Sequence, residues 1–254
     1  MGVRKWMKRM VILDLLLAGL LFFVHVRETA AVYTAAAGRI QENTAYCTDG
    51  NAAATDRAEM RPDAPQEAET GKKIALTFDD GPHPRYTVKL LDGLKERGVS
   101  VTFFVTGANV EKYPEIVKRM QDEGHLIGNH TYHHIQLTAA NGEQFRDEIV
   151  STNEAIREVT GEDTAYIRPP YGSWNKKYEE ELNMFPVLWS VDPRDWCSDD
   201  KACIVKNTVG RIKEGDIILM HDQYPSSVAA ALEIIDRLQQ EGYVFVTVEE
   251  LLLD

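Results

Sequence analysis

Short apolar runs alternate with longer amphipathic runs along the chain from Lys73 onward. The strand-like runs are KIALTF, VTFFVTG, HLIGN, AYIRP, PVLWSVD, DIILMH and YVFVTV. The helix-like runs are YTVKLLDGLKERG, EKYPEIVKRMQDEG, NGEQFRDEIVSTNEAIREVTG, NKKYEEELNM, DKACIVKNTVGRIKEG and SVAAALEIIDRLQQEG. A repeated order of strand then helix is typical of a parallel sheet with helices outside it. We therefore predict an α/β domain, a distorted (β/α) barrel of about seven parallel strands that is closed or nearly closed.

The loop sequences and the net charge argue against nucleotides and nucleic acid as ligands. No glycine-rich dinucleotide or phosphate loop follows the first strand-like run, so a nucleotide-binding fold is disfavoured. The formal net charge is -12 at pH 7. Because binding to nucleic acid needs a basic surface, we expect no nucleic-acid partner.

Residues 1–29 have the pattern of an export segment. An apolar stretch, MVILDLLLAGLLFFVHV, covers residues 10–26. Four basic residues precede it: Arg4, Lys5, Lys8 and Arg9. This arrangement indicates a signal peptide or a signal-anchor, and we favour an uncleaved anchor with the bulk of the chain outside the membrane. The short apolar run and Asp14 weaken the anchor, and residues 35–37 offer small side chains to a signal peptidase. A buried helix of the folded domain fits the basic flank less well.

A low-complexity linker is predicted over residues 30–72. Its second half reads TDGNAAATDRAEMRPDAPQEAETGK and contains almost no large apolar residue. Such a stretch cannot bury enough surface to order itself, so we interpret it as a stalk. The folded domain is then expected over residues 73–254.

Three cysteines bear on the redox environment of the chain. Cys197 and Cys203 are close in sequence and could pair in an oxidising compartment, although spacing does not give the distance between their Cα atoms. Cys47 lies in the linker and would be left over. No two cysteines have zinc-ribbon spacing, so we expect no thiolate metal site.

Chemically versatile side chains follow five of the predicted strands. They are Asp79 and Asp80, His130 and His134, Arg168, Asp195, and His221. Because the carboxyl ends of the strands of a parallel barrel form one rim, we expect these side chains to meet there. Polar residues that merely mark strand exits are the alternative. They would explain serine or asparagine better than paired carboxylates, histidines and an arginine.

The segment NHTYHH predicts part of a metal site. His130 and His134 are four residues apart, so on one turn of helix their rings would share a face and bind one ion. His133 is the competing ligand. A divalent cation would offset the repulsion between Asp79 and Asp80, one of which could bind it while the other stayed free as a base. Two histidines and one carboxylate leave open coordination positions, which suits catalysis. An ordinary Asp-Asp-Gly-Pro turn is the alternative interpretation.

Five ordered motifs resemble those of the polysaccharide deacetylases, the NodB-homology or carbohydrate esterase family 4 proteins. They are TFDDGP (77–82), HTYHH (130–134), RPPYG (168–172), DPRDW (192–196) and LMH (219–221). The resemblance covers about residues 73–254 and is to peptidoglycan N-acetylglucosamine deacetylases in particular. It implies a deacetylase barrel with one divalent metal ion, zinc first, with cobalt or another ion also possible.

The resemblance also implies roles for the matching residues. The metal ligands would be Asp80, His130 and His134. Asp79 would be the general base that activates the attacking water, oriented by Arg168. His221 would be the general acid that protonates the leaving amine, oriented by Asp195. Amide hydrolysis needs both, because an amine is a poor leaving group unless it is protonated.

Three further residues would contact the substrate. The resemblance implies that the backbone N–H of Tyr171 helps to stabilise the oxyanion, which is a large term in acyl transfer. Trp196 and Leu219 would wall the pocket for the acetyl methyl group.

The resulting hypothesis is a metal-dependent de-N-acetylase at the bacterial cell surface. Its partners would be an acetylated amino-sugar polymer and, through the N-terminal segment, the membrane, with the catalytic domain monomeric. Peptidoglycan N-acetylglucosamine is our first substrate because an anchor and stalk suit a wall-facing enzyme. Chitin oligosaccharides and exopolysaccharides stay open. The alternatives are an O-acetyl esterase acting on xylan and a catalytically silent glycan-binding barrel.

Overall fold

The computed structural model describes residues 71–138 and 141–253. The predicted export segment and almost all of the linker, including Cys47, lie outside these residues. Among the helices within them, none is long and apolar enough to cross a bilayer.

Strands and helices alternate along the described chain. The strands are β1 (Lys72–Asp79), β2 (Thr102–Val105), β3 (Leu126–Asn129), β4 (Tyr166–Ile167), β5 (Phe185–Pro186), β6 (Ile217–His221) and β7 (Tyr243–Val246). The helices are α1 (Tyr86–Arg97), α2 (Gly107–Lys112), α3 (Pro114–Asp122), α4 (Gly142–Thr160), α5 (Lys177–Leu182), α6 (Lys201–Val209), α7 (Pro225–Gln240) and α8 (Val248–Leu253). Two 3₁₀ turns cover Pro170–Gly172 and Asp195–Cys197.

All strand pairs are parallel, as the alternation predicted. The strand order is β5-β4-β3-β2-β1-β6, with β7 added to β1. Ala75 of β1 is in register with Ile217 of β6 and with Val246 of β7. Therefore β7 lies on the same edge of β1 as β2, next to the first half of that strand.

The ends of the curled sheet are connected by irregular chain. Val187 donates a backbone hydrogen bond to Ile167 O in β4 (2.7 Å). Four residues later, Val191 forms an isolated parallel bridge with Ile218 of β6. The predicted strand PVLWSVD is thus mostly irregular, and the regular strands alone form an open half-barrel.

The core explains why β1 is apolar along its length. Residues 74–79 of β1 are all buried, as expected for a central parallel strand that is covered on both faces. Phe78 of β1 stacks on Phe103 of β2, with ring centroids 5.5 Å apart. Helix α1 buries Leu90, Leu91 and Leu94. It ends at Gly98, whose left-handed backbone (φ 61°) suits a residue without a Cβ.

One sequence prediction needs correction here, and one open possibility is decided. The segment EKYPEIVKRMQDEG was predicted as one helix, but α2 and α3 are separated at Tyr113 (φ -136°, ψ 54°). Pro114 accounts for the break because proline disfavours helical geometry in the residue before it. The pairing of Cys197 with Cys203, which the sequence left open, does not form, since Cys197 is a free, exposed thiol.

Candidate functional site

Asp79 and Asp80 diverge where β1 ends. Asp79 is the last strand residue, is 4% exposed, and stands in register with His221 of β6. Asp80 adopts a left-handed backbone (φ 72°), which takes the chain out of the strand. Its carbonyl oxygen accepts hydrogen bonds from Asn109 Nδ2 (2.8 Å) and Gln223 Nε2 (2.9 Å). These bonds hold the two carboxylates in different positions despite their adjacency in sequence.

Asp80 lies between the two predicted histidine ligands. Its Oδ1 is 3.4 Å from His130 Nε2 and 3.4 Å from His134 Nε2. One ligand atom from each of the three residues lies within 4.8 Å of the others. Burial raises the pKa of Asp80, but its interactions with His130 and, to a smaller extent, with His134 outweigh burial and lower the pKa to about 2.

This trio fits a divalent cation. Asp80 Oδ1 is buried and has no hydrogen-bond partner among the described residues, and such a group is costly unless it is satisfied. One carboxylate oxygen and two imidazole nitrogens are ligands that zinc accepts. The predicted set of Asp80, His130 and His134 is therefore brought together with donor chemistry that suits a metal ion.

The ring of His130 is oriented in a way that suits binding of a cation. Its Nδ1 lies 2.6 Å from the carbonyl oxygen of Arg168. A carbonyl only accepts hydrogen bonds, so Nδ1 carries a proton, and Nε2 is the ring nitrogen that can offer its lone pair to a cation beside Asp80. Hydrogen bonding through the other nitrogen is the usual way in which a metal-binding histidine is oriented.

The predicted helix turn at residues 130–134 is wrong. These residues form a loop in which Thr131 (φ 61°) and His134 (φ 56°) are left-handed. The N–H of Thr131 donates to the side chain of Asn129 (2.7 Å) instead of entering a helical ladder. Both histidine rings still face the same carboxylate oxygen. The loop, rather than helical spacing, brings them there.

Arg168 forms a buried ion pair with Asp79. The arginine is 0% exposed, and its Nη1 donates to Asp79 Oδ1 (2.9 Å) and to the hydroxyl of Thr77. Burial lowers the pKa of Arg168, and Asp79 opposes that effect. The other oxygen, Asp79 Oδ2, is left 3.8 Å from His130 Nε2. This free oxygen stands beside the three candidate ligands, where a general base is needed.

His221 is paired with Asp195 on the adjacent side of the rim. Its Nδ1 lies 2.9 Å from Asp195 Oδ1, and its backbone N–H donates to Oδ2 (2.8 Å). Burial lowers the pKa of His221, but Asp195, Asp79 and Asp80 outweigh burial and raise it to about 9. In the metal-free protein the imidazole is therefore protonated near neutral pH and can act as an acid.

The three predicted substrate contacts occupy different environments. Tyr171 is left-handed (φ 59°) and 68% exposed, and its ring packs edge-on against that of His134 with centroids 5.0 Å apart. Leu219 is 5% exposed and lies two residues before His221, on the same face of β6. Trp196 is 54% exposed, beside Asp195 in the second 3₁₀ turn. Their positions are compatible with a lined pocket, while the roles stay predictions.

An open cleft extends from the candidate metal ligands. It is lined by Asp80, Thr106, Ala108, Asn109, Tyr132, His133, His134 and Gln223. A second cavity lies at the opposite, amino end of β3 and β4, against His125 and Tyr166. No residue predicted for the site lies in that second cavity.

Several residues around the site were not predicted from the sequence. Asn109 and Gln223 hold the Asp80 carbonyl, and each follows a strand, a signal that could have found them. Asp222 directly follows His221 and is 0% exposed. It accepts a hydrogen bond from Thr87, and burial raises its pKa to about 7. Glu148, in the middle of amphipathic α4, carried no signal.

Comparison with known proteins gives consistent matches. The family profile described as polysaccharide deacetylase matches residues 66–187. The peptidoglycan-N-acetylglucosamine deacetylase PgdA of Listeria monocytogenes is 40% identical over 190 residues, 75% of this chain and 41% of that protein. The chain thus spans less than half the length of that relative. The peptidoglycan-N-acetylmuramic acid deacetylase PdaA of Bacillus subtilis is 38% identical over 72% of each chain. The solved structure of peptidoglycan deacetylase PdaC from Bacillus subtilis gives a TM-score of 0.69 at 41% identity, covering 72% of this chain and 90% of that one.

Proposed function

The chain belongs to the polysaccharide deacetylase family, and we propose that it hydrolyses the acetamide of N-acetylated sugars in an extracytoplasmic polysaccharide. Peptidoglycan N-acetylglucosamine is the proposed substrate. One observation carries this proposal. A carboxylate outside the candidate ligand set (Asp79), a candidate cation site and a carboxylate-paired histidine (His221) converge where adjacent parallel strands end. Amide hydrolysis needs a base, stabilisation of the oxyanion and an acid.

Asp80, His130 and His134 would hold the divalent ion, for which zinc is the first candidate. When bound, such an ion makes water more acidic and polarises the acetyl carbonyl. Asp79 would accept the proton of the attacking water through Oδ2. Arg168 keeps Asp79 in place by binding the other oxygen, Oδ1.

His221 would complete the reaction on the nitrogen side. The water oxygen first adds to the carbonyl carbon, which makes the carbonyl oxygen an oxyanion. When the carbonyl double bond forms again, the carbon–nitrogen bond breaks and His221 donates its proton to the departing nitrogen. The products are acetate and a free amino sugar. Asp195 stabilises the protonated imidazole and fixes its orientation through two hydrogen bonds. The backbone N–H of Tyr171 would donate to the developing oxyanion.

The open cleft supports a polymeric substrate. Exposed aromatic side chains, Tyr171 and Trp196, flank the rim, and aromatic faces suit the apolar faces of sugar rings. The relatives carry names for both N-acetylglucosamine and N-acetylmuramic acid deacetylation, so the choice between these sugars is part of the proposal. A surface location, a membrane anchor and a monomeric domain are proposed with it.

Mass spectrometry of defined wall fragments, before and after treatment with the zinc-loaded protein, tests the proposal. We expect loss of acetyl mass on N-acetylglucosamine. Acetyl loss confined to N-acetylmuramic acid would change the substrate. An acetylated hexosamine oligomer and acetylxylan offered side by side separate the deacetylase from the esterase alternative. Release of acetate from neither, by a protein shown to bind zinc, would favour the silent glycan-binding barrel.

A further inference from the structure

The loop at residues 130–134 needs an external support. It carries two of the three candidate metal ligands, yet it is neither helix nor strand. Thr131 and His134 both have positive φ, a conformation that costs about 1–3 kcal/mol for a residue with a side chain. Such a backbone persists only when the surrounding structure holds it.

Three hydrogen bonds to its backbone hold the first half of the loop. Gly107 and Ala108, at the start of α2, donate to the carbonyl oxygens of Thr131 (3.1 Å) and Tyr132 (3.2 Å). The N–H of Thr131 donates to the Asn129 side chain (2.7 Å). None of these three bonds reaches His133 or His134.

Glu148 holds the second half. It projects from α4 and is 8% exposed. Its Oε2 accepts the backbone N–H of His133 (2.6 Å), and its Oε1 lies 2.7 Å from Nδ1 of the same residue. Hydrogen bonds to a charged acceptor are stronger than neutral ones. One carboxylate thus fixes both the peptide plane and the side chain of the residue immediately before His134.

We propose that Glu148 is a positioning residue for the metal site, acting on His134 through His133. The inference rests on the metal site of the proposed function. It assigns His133 to the support of the loop rather than to ligation, because the ligand atoms that cluster within 4.8 Å of one another come from Asp80, His130 and His134 and not from His133. Without Glu148 the left-handed backbone at His134 loses the anchor on its amino side and keeps the bond from Ile135 N–H to Thr131 Oγ1 (3.2 Å) on its carboxyl side. With one side released, His134 Nε2 no longer stays beside Asp80 Oδ1.

Titration calorimetry with zinc, on purified wild type and variants, tests this proposal. We expect Glu148→Ala to weaken zinc binding by about 10- to 100-fold, the range found for residues that orient metal ligands. Glu148→Gln should bind zinc nearly as wild type does. Its amide oxygen can accept the His133 N–H, and its NH₂ group can donate to Nδ1. His133→Ala keeps the backbone bond and should lose less affinity than Glu148→Ala.

Two controls separate positioning from simple loss of stability. Glu154→Ala makes the same chemical change at an exposed position of α4. Ile156→Val trims a buried residue of α4 and should lower the melting temperature of the metal-free protein with zinc affinity unchanged. If Glu148→Ala does not fold, Glu148→Asp, which is one methylene shorter, decides the question by an intermediate loss of zinc affinity.

A lower melting temperature with unchanged zinc affinity in Glu148→Ala or Glu148→Asp would overturn the inference. So would a Glu148→Gln protein as defective as Glu148→Ala. The proposed function fails in a different way. Wild type that binds zinc but releases no acetate from any glycan would contradict the proposed deacetylation and leave the role of Glu148 intact.

Discussion

Asp79 and His221 stand opposite each other at the ends of two adjacent parallel strands, β1 and β6. Neighbouring strands lie about 4.8 Å apart, so the Cα atoms of the proposed base and acid are separated by roughly one strand spacing. Each is held by its own partner, Asp79 by Arg168 and His221 by Asp195. The register of the sheet therefore brings the proposed base and the proposed acid to the same edge, where both could act on one substrate.

Changing Asp79 or Asp80 to asparagine should impair two different properties, the turnover rate and the zinc affinity. Asp79→Asn should lower kcat by about 10²- to 10⁴-fold, the usual contribution of a general base, while zinc stays bound. Asp80→Asn should instead lose zinc affinity, because it replaces the shared carboxylate ligand. Calorimetry and acetate release measured on the same samples check both. If Asp79→Asn lost zinc, the assignment of Asp80 rather than Asp79 as the carboxylate ligand would be wrong.

The pairing of His221 with Asp195 should control the alkaline limb of the pH profile. His221 must be protonated to act as the acid, so activity falls as pH rises through its pKa, which is about 9 in the metal-free protein. Asp195→Asn removes the charge that helps to raise this pKa, so the limb should move to lower pH by about one to three units. Asp199→Asn, exposed in the same segment, is the control. An unmoved limb would exclude His221 as the acid.

Asp222 should make the metal-free protein less stable as pH rises. Burial raises the folded-state pKa of this group from 3.8 to about 7, so the unfolded chain releases its proton first. Wild type should therefore lose stability between about pH 4 and pH 7 relative to Asp222→Asn, by at most ~4 kcal/mol. Urea unfolding with a chelator at several pH values measures this difference. A difference that does not vary with pH would contradict the prediction, and exposed Asp147→Asn is the control.

Gly107 should be intolerant of a side chain because α2 approaches the metal-site loop closely there. A Cβ at this position would lie 2.4 Å from Cδ2 of Tyr132 and 2.8 Å from Oγ1 of Thr152. We expect Gly107→Ala to displace the loop and weaken zinc binding by about tenfold or more. Gly210→Ala, whose Cβ would lie 3.5 Å from Lys206 O, should bind zinc as wild type does.

The parallel pairing of the strands and the meeting of Asp80 with His130 and His134 could be predicted from the sequence for a physical reason. Parallel strands place their carboxyl ends together, so Asp80 and His130 could be expected at one rim. The local path of the chain was not accessible in the same way. His134 reaches Asp80 through a left-handed loop that depends on Glu148, a contact between residues 15 positions apart. Likewise, the bridge of Val191 to β6 depends on tertiary pairing that a short apolar run does not reveal.

Arg168 serves the rim through two chemically separate parts. Its carbonyl oxygen sets the tautomer of His130, whereas its guanidinium binds Asp79. A substitution at this position removes the guanidinium and keeps the carbonyl, since every amino acid has one. A single substitution of Arg168 can therefore remove the ion pair with Asp79 and leave the hydrogen bond with His130 Nδ1 in place. A descendant of this chain could lose the proposed activity in one mutational step while it kept the proposed cation site and the proposed glycan cleft.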